Sequence, residues 1–571
     1  MSGQSVGWIK KVLCLLAFFV LALVPRLYSA QTVGWHWDSP GSFTLVNFDE
    51  GGSCRAALKG FDYSPFIGYQ TVAITEALGH PVPPGVKGDE PAAKRYCHSV
   101  EHIQVARAYA AVTGALTVVV LAVMALLLVP SRPQIAWTAA ALLALSGFHV
   151  SESHSGTVDA PSVLFIYLFL TLMVFAVRRE RPMALFSSPL LLVPAIWSKY
   201  WVFAISAYVV LLSQRLWQYL CLGMSGARVA LLFFATVVMF AFTSNEAFQS
   251  AGLYPWLALY YLLVPWRRVN WPVIILLASM PLIAVGLGTI ELVAAFTTGE
   301  LENRFGTGYA AIGWNKWLRN PLNVFMVLLV GLGLPACLFI PAGVRAIIRD
   351  GANARPWLCL FPLLLFFAFM MFISPVTYYR HYLPLIPAAA LVAAVGLWST
   401  AWSARPGFML LFFIWPALLM VDLDMDYHKD PRVALRGWYS EHAGDTVLIG
   451  YYVNPPPSGM ANSRLFQPEY AVGDAASLRQ ADYLILSENW YDTAFANELN
   501  GPYIDKPERL IKTRPEYVRF YRDALSGQHR YLQLDQALDV GNFMPELVFH
   551  RWYYGTFQMF VGDLKIFRII K

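Results

Sequence analysis

Long apolar blocks, each separated from the next by a short polar turn, dominate the chain up to about residue 425. A helix needs about 20 mostly apolar residues to cross a bilayer, and a spanning helix satisfies its own backbone hydrogen bonds. The pattern therefore predicts an α-helical polytopic membrane protein. Only 14% of the residues are charged, against about 25% in a typical soluble domain, which agrees with this class.

One apolar stretch, 184–214, is too long for an ordinary span and is interrupted by Ser198-Lys199-Tyr200. It is predicted to cross the membrane twice, which brings the total to about thirteen transmembrane helices. Single spans are predicted near 11–25, 103–129, 134–150, 160–177, 228–243, 249–265, 271–290, 321–344, 356–374, 381–399 and 407–423.

Charges in the turns separate by sign, which predicts the orientation of the chain, since positive residues are retained on the cytoplasmic side. With Lys10 and Lys11 inside, nearly every turn placed inside is basic and the turns placed outside carry the acidic residues. Loops 26–102 and 291–320 and everything after about residue 424 are then predicted to be extracytoplasmic. The inner turns lie at 131–133, 178–181, 214–228, 266–268, 345–355 and 402–406.

The first apolar segment could also be a signal peptide, but Tyr28 and Arg26 are unfavourable near the candidate cleavage site after Ala30. An uncleaved first helix is preferred.

The net charge of +6 forms no basic stripe with interleaved aromatic residues, so nucleic acid is not an expected partner. The expected location is a membrane such as the bacterial cytoplasmic membrane.

The composition changes near residue 425, which divides the chain into a membrane domain, 1–425, and a soluble α/β domain, 426–571. In the second, 431–441 is predicted to form an amphipathic helix, and 446–452 and 483–487 to form short buried strands. The closing segment 557–570 is predicted to be a hairpin that turns at Gly562-Asp563. A small sheet flanked by helices is expected on the outer membrane face.

Two of the six cysteines, Cys54 and Cys97, fall in the first polar loop. If that loop is outside the cytoplasm, they are the one plausible disulfide. The other four lie in or beside apolar segments, where free cysteines pack as small hydrophobic residues.

The same loop contains the adjacent carboxylates Asp49 and Glu50, preceded by Asn47 and followed by two glycines. Such a pair suits a general base, which takes a proton from a positioned nucleophile. An Asp-Glu pair in a polar loop is also commonly no more than solvated surface, and the residues alone leave both interpretations open.

A second group joins two predicted spans on the outer side and holds His149, Glu152, His154 and Asp159. Imidazole and carboxylate groups suit a divalent metal such as Zn²⁺ or Mn²⁺, so the first three are candidate metal ligands, although their spacing is not a standard zinc pattern. Asp159, just before Pro161, also suits the first turn of a helix.

Cations near the outer ends of apolar segments form the third group. Lys199 interrupts an apolar stretch, and an intramembrane cation is a functional hypothesis by default, although it could also extend to the interface. Arg380, with His381 and Tyr382, offers forked donors for phosphate oxygens, or else anchors an interfacial aromatic belt.

Loop 291–320 mixes aromatic and basic residues, which favours a helix on the outer surface.

Taken in order, these motifs resemble the GT-C fold membrane glycosyltransferases, in particular the protein O-mannosyltransferase and lipid A aminoarabinose transferase group. The resemblance covers essentially the whole chain and depends on the ordered set, because no single motif is specific. The motifs are Asp49-Glu50, Ala106-Arg107-Ala108-Tyr109, the 154–161 turn, Ser198-Lys199-Tyr200, Arg380-His381-Tyr382-Leu383-Pro384 and the 481–487 segment.

The resemblance implies transfer of a sugar from a polyprenyl-phosphate donor to an acceptor on the extracytoplasmic face, with inversion at the anomeric carbon. It implies that Asp49 is the base and that Glu50 orients it or the acceptor. The acceptor or sugar is then expected near Asn47, His154 and Asp159, and the donor phosphate near Lys199 and Arg380. His381 stands where relatives often place Arg directly before Tyr, so it and Tyr382 are further candidates for the phosphate.

The alternative is a polytopic transporter or flippase of lipid-linked sugars. Transporters commonly show paired repeats with discontinuous helices in both halves, whereas this chain has one interruption and no visible repeat. The sequence leaves open the sugar, the polyprenyl chain length, the dependence on metal and whether the acceptor is a protein, a lipid or a glycan.

Overall fold

The structure is a computed structural model of the 571-residue chain. It describes residues 3–33, 49–59, 65–181, 314–372, 379–428, 431–450, 453–456, 459–466, 478–488, 515–539 and 563–571, with single positions between 184 and 203. The predicted spans at 228–243, 249–265 and 271–290 lie outside these residues, as do most of the 184–214 stretch and the 291–313 part of the third loop.

The described chain is dominated by helices, and their order follows the apolar blocks. The first half contains α1 Gly3–Thr32, α2 Gly52–Lys59, α3 Phe66–Ala77, α4 Glu90–Cys97, α5 Val100–Leu128, α6 Pro133–Ala144, α7 Gly147–His154 and α8 Asp159–Arg178. The second half contains α9 Trp314–Cys337, α10 Ile340–Arg349, α11 Phe361–Phe372, α12 Leu385–Trp398, α13 Pro406–His428, α14 Pro431–Glu441 and α15 Pro515–Leu525. Short 3-10 helices occupy Gly351–Leu360, Tyr379–Tyr382 and Ala401–Ala404.

The protein is a helical membrane protein. Among the described residues, four helices are long and apolar enough to cross a bilayer, or up to six if each of two bent pairs is one span. The four are Ile9–Thr32, Val100–Leu128, Asp159–Arg178 and Pro406–Met425. The total of about thirteen spans remains a prediction.

Two predicted single spans are wrong in detail, because each is a pair of helices. The 134–150 stretch divides into α6 and α7, which meet at 56°, and the Ser146 hydroxyl caps the second helix by accepting from the His149 backbone N–H at 3.3 Å. The 321–344 stretch divides into α9 and α10, bent by 70°. Gly333 inside α9 has a φ of +78°, a conformation that favours glycine.

Small residues bring the central helices together. α5 and α6 meet through fully buried alanines, including Ala115, Ala122, Ala139 and Ala140, and small side chains let membrane helices approach closely. The guanidinium of Arg178, in the last turn of α8, donates to the Leu128 carbonyl at the end of α5 at 2.5 Å. α5 and α8 therefore end together, and the shorter α8 begins beside the second turn of α5, where Gly156 lies against Ala106 and Arg107.

The C-terminal part forms a five-stranded mixed sheet of order β2-β1-β3-β5-β4. Its strands are β1 Thr446–Ile449, β2 Asn462–Leu465, β3 Tyr483–Ser487, β4 Leu532–Leu538 and β5 Leu564–Ile569. β1 is parallel to β2 and β3, whereas β5 is antiparallel to β3 and β4.

Helices cover both faces of this sheet. On the central strand β3, Tyr483 and Ile485 pack with Trp438 of α14, while Leu484 and Leu486 pack in a second cluster with Phe520 of α15. The predicted helix at 431–441 and the strand at 483–487 match these elements, and β1 covers the first four residues of the predicted 446–452 strand. The first arm of the predicted 557–570 hairpin lies outside the described residues.

Candidate active site

Glu50 and Arg107 form a fully buried ion pair. The Arg107 guanidinium donates to both carboxylate oxygens of Glu50, from Nε at 2.7 Å and from Nη2 at 2.9 Å, and neither side chain is exposed to solvent. Arg107 Nη1 also donates to the Val33 carbonyl at 2.5 Å, and the Gly156 N–H donates to Glu50 Oε1 at 2.8 Å. This one ion pair thus ties together the end of α1, the start of α5 and the turn between α7 and α8.

The residue after Glu50 allows the first loop to fold tightly against this pair. Gly51 has a φ of +75°, and a Cβ atom there would lie 2.7 Å from His98 Cδ2 and 2.8 Å from the Cys97 carbonyl. Only glycine fits both the backbone conformation and the space. Burial, with the charges of Arg55 and Lys94, lowers the pKa of His98 to about 4, so His98 is a neutral ring at physiological pH.

Helices α2, α3 and α4 give the loop a small core of its own. Cys54 and Cys97 are joined by a disulfide and pack with Leu58, Val72 and Val86. Because Cys97 directly precedes His98, the disulfide holds this part of the chain beside Asp49 and Glu50.

Asp49, unlike its neighbour, is partly exposed. Its carboxylate Oδ2 lies 2.5 Å from Arg380 Nη2, and the two side chains are 28% and 21% exposed. Arg380 belongs to the 3-10 helix Tyr379–Tyr382 that leads into α12. The Asp49 carboxylate of the first loop and the Arg380 guanidinium therefore form an ion pair that is accessible to solvent.

A second ion pair completes the group. Lys199 Nζ donates to Asp159 Oδ1, where Asp159 is the first residue of α8, as its predicted place in a first helical turn requires. Glu152 of α7 lies within electrostatic reach of both pairs, since the charges of Asp49, Asp159, Lys199 and Arg380 all act on it. Its Oε2 is buried and accepts no hydrogen bond from the described residues.

Three carboxylates and two cations from five separate segments thus gather at the end of the bundle where α8 begins. We call these residues the charged cluster: Asp49, Glu152, Asp159, Lys199 and Arg380. A carboxylate can accept a proton, and the two cations can stabilise a phosphate. The arrangement combines both capacities within one partly enclosed site.

The predicted metal ligands do not converge. Arg26 approaches His149 Nδ1 at 3.0 Å, and because a guanidinium only donates, that nitrogen is the acceptor. His154 faces Asp424, at 3.5 Å from Nδ1 to Oδ1, and Glu152 faces the charged cluster. Within the described part of the chain, no three His, Cys, Asp or Glu side chains are placed to share a metal ion. These residues do not fit a metal site, because His149 meets Arg26 and His154 meets Asp424.

Arg26 and Asp424 were not predicted as interacting residues. The Arg26 guanidinium is fully buried and donates to the carbonyls of Ala22 at 2.7 Å, Leu143 at 3.2 Å and Ala144 at 3.3 Å. Asp424 Oδ1 accepts from the Ser29 hydroxyl at 2.5 Å. The sequence signal was available, since a charge inside an apolar segment calls for a named partner.

The remaining predicted site residues have varied positions. Asn47 lies outside the described residues. His154 is 1% exposed and faces Asp424 rather than the charged cluster. His381 follows Arg380 and is partly buried, whereas Tyr382 is fully buried. Of that triplet, Arg380 joins the cluster through its contact with Asp49.

Comparison with known proteins gives only distant likenesses. No family model and no curated protein matches the chain. Among solved structures, it is similar to the oligosaccharyltransferase of Archaeoglobus fulgidus in complex with Zn and sulfate, with 12% identity over 86% of this chain and 70% of that one, and a TM-score of 0.48.

The chain is also similar to ArnT from Cupriavidus metallidurans. The structure bound to undecaprenyl phosphate has 17% identity, covers 76% of this chain and 73% of that one, and gives a TM-score of 0.35. The apo structure has 15% identity, covers 87% and 96%, and gives 0.38. With identities and TM-scores this low, the likenesses do not bear on the substrate or the mechanism of this chain.

Proposed function

We propose that the protein is a glycosyltransferase that moves a sugar from a polyprenyl-phosphate donor to an acceptor on the extracytoplasmic face, with inversion. The observation that carries the proposal is the charged cluster, in which a solvent-accessible carboxylate, Asp49, pairs with Arg380, and both lie within electrostatic reach of Lys199 in the Asp159–Lys199 pair. A transfer of this kind needs a proton acceptor for the attacking hydroxyl and cations for the leaving phosphate.

The two ion pairs suggest how the site responds to its donor. While Arg380 is bonded to Asp49, the carboxylate oxygen that faces it cannot take a proton from an acceptor. A donor phosphate draws Arg380 and Lys199 towards its own oxygens, because its negative charge grows as it leaves the sugar and it offers the Arg380 guanidinium a forked contact. Asp49 is then free to accept the proton as the acceptor oxygen bonds to the anomeric carbon and the polyprenyl phosphate leaves with the bonding electron pair.

Glu50 has a different role in this scheme. Its carboxylate is held by Arg107 and by the Gly156 N–H, with no exposure to solvent, so it positions the loop that carries Asp49. Asn47, His381 and Tyr382 remain candidates for contacts with the acceptor or donor. The acceptor can be a hydroxyl of a protein, a lipid or a glycan, and no step requires a bound metal.

The proposal includes the arrangement of the whole chain. Residues 1–425 form the membrane domain with about thirteen spans, and residues 426–571 form an extracytoplasmic domain that contains the mixed sheet. The separation of charge supports this: Arg132, Arg178, Arg179 and Arg181 lie at the end of the bundle where α5 and α8 terminate, and the charged cluster lies at the other.

Removal of the cations should weaken binding of the lipid product. We expect Arg380→Ala and Lys199→Ala each to bind undecaprenyl phosphate about tenfold more weakly or worse, because each loses a charge-assisted hydrogen bond. Binding to purified protein can be measured by microscale thermophoresis, with Arg405→Ala as a matched control, since Arg405 is exposed and lies between α12 and α13.

Lys199→Ala also leaves Asp159 without its partner, so the double variant Lys199→Ala/Asp159→Asn separates binding from folding. It should remain folded and still bind weakly. If both single variants and the double variant bind as tightly as the unmodified protein, the two cations are structural anchors and the assignment of the phosphate site is wrong.

The proposed orientation predicts opposite labelling of two exposed positions. In a background without free cysteines, Lys87→Cys should react with a membrane-impermeant maleimide in intact cells, whereas Arg132→Cys should react only after lysis. A periplasmic reporter fused after Lys571 should be active. Labelling of Arg132→Cys in intact cells, or a cytoplasmic signal from the fusion, would reverse the orientation and exclude an outer-face active site.

A further inference from the structure

An apolar groove runs between α1 and α13. Its cavity volume is about 820 Å³. Val20, Val24 and Tyr28 line one side, and Val421, Asp424 and Met425 line the other. Val24 and Val421 are exposed, and since both helices are long and apolar enough to cross a bilayer, the groove opens towards lipid.

Asp424 is the unusual member of this lining. A carboxylate that faces hydrocarbon is costly and marks a functional site unless it has a partner. Ser29 and His154 both approach Oδ1, at 2.5 and 3.5 Å, which leaves Oδ2 without a donor from the described residues. The side chain is 10% exposed, so this oxygen can be reached from the groove.

The polar rim of the groove lies one turn further towards the end of both helices. Tyr28 stacks on His428 with ring centroids 5.6 Å apart, and His428 Nε2 lies 2.7 Å from the Thr32 hydroxyl. Tyrosine is enriched at the level of lipid headgroups. From the middle of the helices towards their ends, the groove therefore presents apolar side chains first, then one oxygen of Asp424, and finally the hydroxyl and aromatic groups of the rim.

We propose that this groove binds a membrane lipid whose headgroup carries a primary ammonium, with one acyl chain along Val20, Val24 and Val421 and the ammonium donating to Asp424 Oδ2. An ammonium supplies the hydrogen-bond donor and the positive charge that the carboxylate lacks on this side. A purely anionic headgroup would be repelled by Asp424. The Tyr28 hydroxyl is placed to donate to the phosphate of such a lipid. The site is separate from sugar transfer and does not depend on it.

Native mass spectrometry of the purified full-length protein tests the proposal, with lipids of identical acyl chains added in equal amounts. Phosphatidylethanolamine should be retained about tenfold more than phosphatidylcholine, whose quaternary nitrogen has no N–H, and more than phosphatidylglycerol. Asp424→Asn should abolish this preference. Val421→Trp should fill the groove and lower retention of all three lipids, whereas Leu418→Trp, an exposed position on α13 outside the lining, should change nothing.

Equal retention of phosphatidylethanolamine and phosphatidylcholine by the unmodified protein would overturn the proposal, and so would an unchanged preference in Asp424→Asn. The comparison of the two lipids needs no variant, so it stands even if Asp424→Asn fails to fold. A second protein chain retained in place of lipid, and lost in Val421→Trp, would show that the groove seats a partner helix instead.

Discussion

Asp49→Asn is expected to abolish sugar transfer while the protein remains folded and still binds undecaprenyl phosphate. The amide keeps the shape of the side chain and one oxygen for Arg380, but it cannot accept a proton. General-base catalysis contributes about 100- to 10,000-fold to a rate, so the turnover number should fall by that amount. Binding of the lipid product should be unchanged or tighter, since Arg380 is no longer held by an ion pair.

The assay is transfer from a purified polyprenyl-phosphate sugar by detergent-solubilised protein, with donors and acceptors first identified by mass spectrometry of cell-envelope glycoconjugates from cells with and without the gene. Glu101→Gln is the matched control, because Glu101 is an exposed carboxylate in the first turn of α5 and should be neutral. Full activity of Asp49→Asn would remove Asp49 from the role of base.

Arg107→Met is expected to destabilise the protein severely, by about 3–5 kcal/mol, because it leaves the Glu50 carboxylate buried without its partner. The loss concerns the fold of the first loop against α5 and the α7–α8 turn, all of which meet at Glu50. Thermal unfolding in detergent, followed by tryptophan fluorescence, should show a lower midpoint. Arg95→Met, on the exposed side of α4, should leave the midpoint unchanged.

A double variant separates stability from activity at the same position. Arg107→Met/Glu50→Leu removes both charges, and replacing a buried pair by apolar residues is often neutral or stabilising. We expect it to regain much of the stability but not the transfer activity, because the loop that carries Asp49 loses its anchor. Recovery of both properties would show that Glu50 does not position Asp49.

The sequence alone was sufficient to predict the class of the fold and several of its elements, because hydrophobic period and length depend on local residues. The helix at 431–441 and the buried strand at 483–487 are of this kind. The breaks within 134–150 and 321–344 were missed, since Ser146 and Gly333 act through local capping and backbone geometry inside a continuous apolar run. β2 and β4 were missed because each carries exposed residues along most of its length.

Some residues of the candidate site could be identified from the sequence, but the pairs that they form could not. Lys199 and Arg380 were recognisable because charges beside apolar segments are unusual, and Asp49 because it belongs to a pair of adjacent carboxylates. Their pairing could not be predicted, because it joins residues far apart in the chain. Asp49 and Glu50 look equivalent in the sequence, yet one is tied to a buried guanidinium and the other meets solvent and Arg380. Only the packing of α5 against the first loop separates them.

The contact between Asp49 and Arg380 also bears on when the protein becomes competent during its synthesis. Ribosomes add roughly 5–20 residues per second, so Arg380 is made tens of seconds after Asp49. Glu50 can pair with Arg107 as soon as α5 has entered the membrane. Asp49 can pair with Arg380 only after almost the entire membrane domain has been synthesised. A stalled or truncated chain can therefore fold its first loop but cannot assemble both cations at the site, and under the proposed function an unfinished chain is inactive.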